Sequence, residues 1–338
     1  ADLDGDNDLD VLSASQNDDT IAWYEDNGSG GFGVQLVTND ADRANSVFAA
    51  DLDGDGDPDV LSTSSKDDKI AWYENDGAVG FEGFGDPQVI TTESDVTESV
   101  FATDLDGDGD KDVLAALDDD DIIAWYENDG SDEFGGQRVI TNDVEGPRSV
   151  FAADLDGDGD KDVLSAEIGV SNFDNDKIAW YENDGAGGFG EKQIVSTEVE
   201  TPRSVFATDL DGDGDVDVLS ASPIAWYENN GSGNFGGFGD QKVINAGGGG
   251  SVFATDLDGD GDPDVLSAAG REITWYENDG SAGFGDQKVI TTEVDDAQSV
   301  FAADLDGDSD ADVLSASEDD DKIAWYENQG SGSFSAQK

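Results

Sequence analysis

The sequence predicts an all-β fold: a seven-bladed β-propeller of four-stranded antiparallel blades. Two observations carry this. A nine-residue block, Asp-x-Asp-Gly-Asp-x-Asp-x-Asp, recurs seven times, opening at Asp2, Asp51, Asp104, Asp154, Asp209, Asp256 and Asp304, about 50 residues apart. Between the blocks, apolar residues fall in short runs rich in Val, Ile and aromatics, bounded by Gly, Asp or Asn. Such runs are strand signals, and no helical period runs through them.

Aligned, the copies give one unit. A first strand, Ser-Val-Phe-Ala-(Ala/Thr), leads into the Asp block. A second strand, Asp-Val-Leu-Ser-Ala, follows, then a variable acidic stretch and a third strand, Ile-Ala-Trp-Tyr-Glu-Asn. A Gly-rich turn leads to a fourth, Gln-Lys-Val-Ile-Thr. Units begin near residues 1, 46, 99, 149, 204, 251 and 299, so residues 1–338 read as a single propeller domain. A lone sheet of this size cannot bury both faces, whereas blades stacked side by side can. A linear solenoid is the alternative, but its repeats are shorter and carry fewer strands.

All seven Trp and all seven Tyr lie in the third strand, from Trp23/Tyr24 to Trp325/Tyr326. Alternation places Ile, Trp and Glu on one face and Ala and Tyr on the other. Large rings at these positions are expected to fill the space between blades. Stacking on sugars is the functional alternative.

The acidic block is the candidate site. In Asp51-Leu-Asp-Gly-Asp-Gly-Asp-Pro-Asp59, positions one, three and five converge because Gly54 and Gly56 let the backbone curl. Asp59 opens the next strand and is expected to close the shell, with one or both oxygens, and Asp57 to contribute its carbonyl. An all-oxygen shell of this kind suits calcium better than magnesium or a thiophilic metal. The candidate ligands are Asp2, Asp4, Asp6, Asp8 and Asp10; Asp51, Asp53, Asp55, Asp57 and Asp59; and Asp104, Asp106, Asp108, Asp110 and Asp112. The later blocks add Asp154, Asp156, Asp158, Asp160 and Asp162; Asp209, Asp211, Asp213, Asp215 and Asp217; Asp256, Asp258, Asp260, Asp262 and Asp264; and Asp304, Asp306, Asp308, Asp310 and Asp312. Up to seven Ca2+ are expected. An EF-hand is excluded, because its twelfth position would be Ser62, inside an apolar strand. Asn7 and Ser309 replace the second glycine in the first and last blocks and are expected to loosen them.

Composition agrees with a metal-bound, secreted protein. The formal charge is -67, from 82 acidic and 15 basic residues, which makes nucleic acid and anionic membranes poor partners. Cys, Met and His are absent, which removes disulfides, thiol nucleophiles and imidazole bases. No apolar run is long enough to cross a membrane as a helix. Weak carboxylate sites fill where calcium is millimolar, so an extracellular or cell-surface location is expected. The sequence begins in mid-repeat, as a processed product or an excerpt would. Unpaired terminal strands offer a place for other copies of the chain to add a strand.

The block, the Phe-Ala-x-Asp lead-in and the Gly-Phe-Gly turn resemble the FG-GAP or VCBS repeats of integrin α-subunit propellers and of many secreted microbial and algal proteins. The resemblance covers nearly the whole chain. It implies a seven-bladed propeller with calcium on the hairpin between the first two strands, held in the first blade by Asp2, Asp4, Asp6, Asp10 and the Asp8 carbonyl. Integrin propellers carry the block in only some blades. Fungal calcium-propeller lectins are closer in that respect, though their sugar-binding residues have no match here.

Other features are weighed in the same way. Asn27 and Asn230 open Asn-Gly-Ser sequons in exposed turns, which makes them glycosylation candidates in a secreted eukaryotic protein. The acidic runs Asp118–Asp121 and Glu318–Asp321 are expected to be solvated hairpins. Arg148 and Arg203 precede inner strands and are expected to pair with nearby carboxylates. The insertion around Ile168–Asp176 carries Phe173. Sevenfold near-identity argues against an active site, which needs one distinct acid–base pair. The expected role is non-enzymatic adhesion or assembly. A multivalent lectin binding glycans at blade interfaces is a second reading, and a propeller domain of a polysaccharide-degrading enzyme a third.

Overall fold

The computed structural model describes residues 1–28, 30–77, 83–94, 96–130, 133–169, 175–231 and 237–338. The described residues form a β-propeller of seven antiparallel blades, with strand order following chain order in each sheet. The second blade is typical: strands Ala44–Ala50, Asp59–Ser64, Lys69–Tyr73 and Gln88–Thr91. The first and last sheets have three strands each, and the remaining position is begun in both. Asp10 N–H donates to the Ala1 carbonyl at 2.7 Å, and Trp325 and Lys338 exchange backbone hydrogen bonds at 3.0 and 3.2 Å.

Tertiary contacts divide the chain into two compact units, residues 1–152 with 181–192, and residues 153–180 with 193–338. Within the first unit, Leu52, Leu61, Ile70 and Trp72 of the second blade pack on Val100, Val113, Ala115 and Tyr126 of the third. The second unit repeats this with Leu257, Leu266, Ile273 and Trp275 against Val300, Val313, Ala324 and Tyr326. Alternation therefore does as expected: the Ile/Trp face of one blade meets the Val/Tyr face of the next. No Trp is more than 5% exposed, so the indoles are interior rings. On the inner strands, Phe48, Phe101 and Phe151 stack at 4.9 and 5.0 Å in the first unit. Phe206, Phe253 and Phe301 stack at 4.9 and 4.6 Å in the second.

One regular feature is not readable from the sequence. The pairing between third and outer strands slips at the Ile/Ala step, as between Ile70 and Ala71 or Ile123 and Ala124. This bulge recurs at the same place in the first six blades. It leaves an apolar side chain of the outer strand in solvent, such as Val89 and Val139.

The acidic hairpins are exposed as expected at Asp119, Asp120, Glu318, Asp319 and Asp321, while the half-buried carboxylates beside them have structural partners. Asp118 pairs with Arg148 at 2.8 Å, and Asp121 accepts the Gly146 N–H at 2.9 Å. Asp320 accepts from Ser317 and Lys322 at 2.5 and 2.7 Å. These carboxylates fasten the entry of the following strand or brace their own hairpin. Arg148 also reaches Glu98 at 2.5 Å, so it is paired as expected. Arg203 is exposed. Phe173 lies outside the described residues.

Candidate metal centre

Each Asp block turns by short side-chain-to-backbone hydrogen bonds. In the third blade the Asp104 carboxylate accepts from Gly107 N–H at 2.7 Å and Gly109 N–H at 3.0 Å. Asp106 accepts from Asp108 N–H at 3.3 Å, and Asp108 from Asp110 N–H at 2.9 Å. These turns aim positions one, three and five inward. Oxygens of Asp104, Asp106 and Asp108 lie within 4.8 Å of one another, as do those of Asp2, Asp4 and Asp6, and of Asp209, Asp211 and Asp213. In the second and fourth blades the gathered trios are Asp51, Asp53, Asp59 and Asp154, Asp156, Asp162. The second glycine position has φ near +100° in the middle blades. Asn7 and Ser309 hold φ of 76° and 78° there, and their N–H groups still reach Asp2 and Asp304 at 3.0 and 2.9 Å. Both end blocks thus keep the turn.

The ninth aspartate has a second role beside that of a candidate ligand. Asp112 is fully buried, and each of its oxygens takes a backbone N–H: Leu105 at 2.8 Å and Asn128 at 2.9 Å. Asp59 does the same with Leu52 and Asn75, and Asp10 with Leu3 and Asp26. With both oxygens so engaged, closure of a cation shell through both is not what the geometry favours. This residue is first a clamp between the block and the end of the third strand. Burial pushes its carboxyl up despite the two N–H groups, to about 7 for Asp59 and Asp112 and about 6 for Asp10, Asp217, Asp264 and Asp312.

The seventh aspartate turns its side chain to the glycine after the third strand. A Cβ on Gly130 would stand 2.6 Å from an Asp110 oxygen. In the third blade that carboxylate lies outside the Asp104, Asp106 and Asp108 cluster.

Two partners were missed by sequence reasoning. Asn128 Nδ2 donates to the Leu52 carbonyl at 2.6 Å, tying the third blade to the middle of the second blade's block. Asn75, Asn183, Asn229, Asn278 and Asn328 make the same bond, each at 2.7 Å, to Leu3, Leu105, Leu155, Leu210 and Leu257. The first blade has Asp26 instead, whose Oδ2 is buried without a hydrogen-bond partner. The second partner is the Glu after Trp-Tyr. Glu127 adjoins Asp106, whose carboxyl is pushed up by burial first, then by Asp108 and Glu127. The sevenfold Trp-Tyr-Glu-(Asn/Asp) was the signal for both.

The donor set fits a hard cation. Asp258 Oδ1 and Asp306 Oδ1, third positions of their blocks, are buried with no hydrogen-bond partner. Leaving such oxygens unmet is costly, and a divalent ion is the partner that carboxylates at this spacing accept. Asn27 and Asn230 are exposed in their turns, with the Asn230 amide donating to the Gly237 carbonyl at 2.9 Å. The serines of both sequons lie outside the described residues.

A repeated antiparallel blade, with an acidic turn between its first two strands, defines the class as a repeat β-propeller. The FG-GAP-like repeat model matches residues 2–62, 51–115, 104–165, 166–220, 219–267 and 256–315, and the chain belongs to this family. No curated protein matches the chain. Among solved structures it is similar to a Lactobacillus plantarum protein, at 16% identity and TM-score 0.67, over 97% of this chain and 94% of that one. It is also similar to an Agrocybe aegerita lectin that recognises non-reducing terminal N-acetylglucosamine. That match has 20% identity, TM-score 0.59 and coverage of 85% and 81%. A nidogen/laminin complex chain matches at 13% identity and TM-score 0.52, over 82% and 92%. At these identities the likeness is one of fold.

Proposed function

We propose that the chain is an extracellular, calcium-stabilised propeller serving as a non-enzymatic adhesion or assembly module. One Ca2+ per block, up to seven, is held by the first, third and fifth carboxylates, the seventh carbonyl and an oxygen of the ninth. The observation that carries this is the pair of buried, unpartnered oxygens on Asp258 and Asp306, inside a carboxylate cluster repeated along the chain. The ion offsets the repulsion of five neighbouring aspartates. The protein supplies the rest: turns that aim the oxygens, the ninth-position clamp, and the Asn bond that fastens the block to the next blade.

A site filled to about 100 times its Kd adds about 2.7 kcal/mol to stability. Seven such sites together match or exceed the roughly 5–15 kcal/mol of an ordinary domain. Chelation with excess EDTA is therefore expected to lower the melting temperature by tens of degrees or unfold the protein, and calcium to restore it. A melting curve unmoved by EDTA overturns the reading.

Glycan binding is supported by the fold shared with the lectin and by a cleft of about 310 Å3 lined by Trp72, Gln88, Val89, Glu133 and Phe134. The buried indoles offer no open face for stacking, so a sugar there would meet mainly the Gln and Glu side chains. A glycan array in calcium separates the readings: several weak equivalent sites favour the lectin, and an empty array favours adhesion through protein partners. Cleavage of an acidic polysaccharide by the purified protein would replace both with the enzyme.

A further inference from the structure

The blocks are alike in their aspartates and unlike in what stands beside them. In the third, fifth, sixth and seventh blades the residue facing the Trp on the outer strand is a cation. Arg138, Lys242, Lys288 and Lys338 lie 4.8, 3.9, 4.0 and 4.2 Å from the Trp ring centroids. The same cations pair with Glu127, Glu228, Glu277 and Glu327, the carboxylates that adjoin the third aspartate of each block. In the first and second blades the facing residues are Gln35 and Gln88, which donate to Glu25 and Glu74 at 3.4 and 3.3 Å. In the fourth blade Gln193 faces Trp180.

A glutamine amide satisfies the carboxylate and leaves its charge in place. A lysine or arginine cancels that charge and adds a positive pole beside the block, held over the indole by cation–π attraction. Calcium affinity in all-oxygen sites follows the negative charge around the ion. We infer that the residue facing the Trp sets the strength of each block's cation site, making the sites of the first and second blades, with their Gln–Glu bonds, stronger than the four in the Lys/Arg blades; the fourth block, which carries Lys161 within it, is left unassigned. The inference rests on the calcium reading above. The Glu is a positioning and charge-setting residue here, and the outer-strand residue acts through it. Since the pairs are half-exposed, the difference between classes shrinks as salt is added.

The test is a calorimetric Ca2+ titration of the whole chain at low ionic strength, for the wild type and two reciprocal variants. The wild type is expected to show two classes, the stronger holding the sites of the first and second blades and the weaker those of the four Lys/Arg blades. Arg138→Gln should move one weak site to the strong class, and Gln88→Arg one strong site to the weak class. Each shift should be on the order of tenfold in Kd, the effect of one unit of charge close to a partly exposed ion. Melting in EDTA is the control, because a merely structural role would change the ion-free melting temperature and leave Kd alone. Seven equivalent sites in the wild type, or swaps that leave both Kd values in place, overturn the inference while calcium binding stands. No heat of binding in the wild type overturns the calcium reading and this inference with it.

Discussion

In the third blade Asn128 reaches back to the Leu52 carbonyl, and Arg138 lies over Trp125 beside Glu127. The first blade holds Asp26 and Gln35 at those two positions, and Asp26 keeps one oxygen buried without a partner. Yet the turn of the block is the same in both, as is the ninth-position clamp, Asp112 to Leu105 and Asn128, Asp10 to Leu3 and Asp26. The turn and the clamp use backbone N–H groups, which every residue type but proline supplies. The fastening and the charge beside the block use side chains, which a single substitution changes. The aspartates thus define the site, and their neighbours grade it.

The comparison sharpens first with pH, where the clamps act together. Without calcium, the Asp112 carboxyl is pushed up to about 7 and that of Asp10 to about 6, both by burial. A folded value above the unfolded one means the folded state takes up protons. Ion-free stability is then fully present below about pH 4 and lost as pH rises through 6 to 7. In EDTA the protein should melt higher at pH 5 than at pH 8. Carbon chemical shifts should show both Asp112 and Asp10 titrating above the ordinary carboxylate range. A melting temperature that rises with pH in EDTA breaks the account. With calcium present the order reverses, since protons compete for the same oxygens.

Asp112→Ala should come next. It leaves the buried N–H groups of Leu105 and Asn128 without an acceptor, at a cost of roughly 2–5 kcal/mol in denaturant titration. Equal stability to wild type would show the clamp to be incidental. Asn128→Ala removes the bond to Leu52 and should cost about 1–3 kcal/mol. The mildest change is of opposite sign: Asp26→Asn replaces the orphaned oxygen with the amide found in the other six blades and should raise stability by about 1 kcal/mol. If Asp26→Asn destabilises instead, the first blade has a use for its carboxylate that the others lack.

Much of this was legible because it is local. The turn of Asp51–Asp59 is written within nine residues, and the alternation of Ile70, Ala71, Trp72 and Tyr73 within four. The Phe-Ala-x-Asp lead-in and the Gly-Phe-Gly turn pointed to the same family that the repeat model matches. What escaped is contact at a distance. The role of Asn128 depends on a carbonyl in another blade, and that of Asp121 on the N–H of Gly146. Asp59 reads as a ligand from its place in the block, and its oxygens do gather with those of Asp51 and Asp53. Its second role, as a clamp, shows only in its burial and two N–H partners. The bulge at Ile70/Ala71 left no mark, since both residues suit a regular strand equally well.

The Asn bonds also bear on the order in which the molecule can come together. Each reaches a carbonyl 68 to 78 residues earlier in the chain. During synthesis at about 5–20 residues per second, that distance takes roughly 3–16 s to appear. A blade emerging from the ribosome therefore waits, with its acidic turn made and its Leu carbonyl open, until the third strand of its successor arrives. The bonds all run one way along the chain, each Asn side chain latching a blade made before its own.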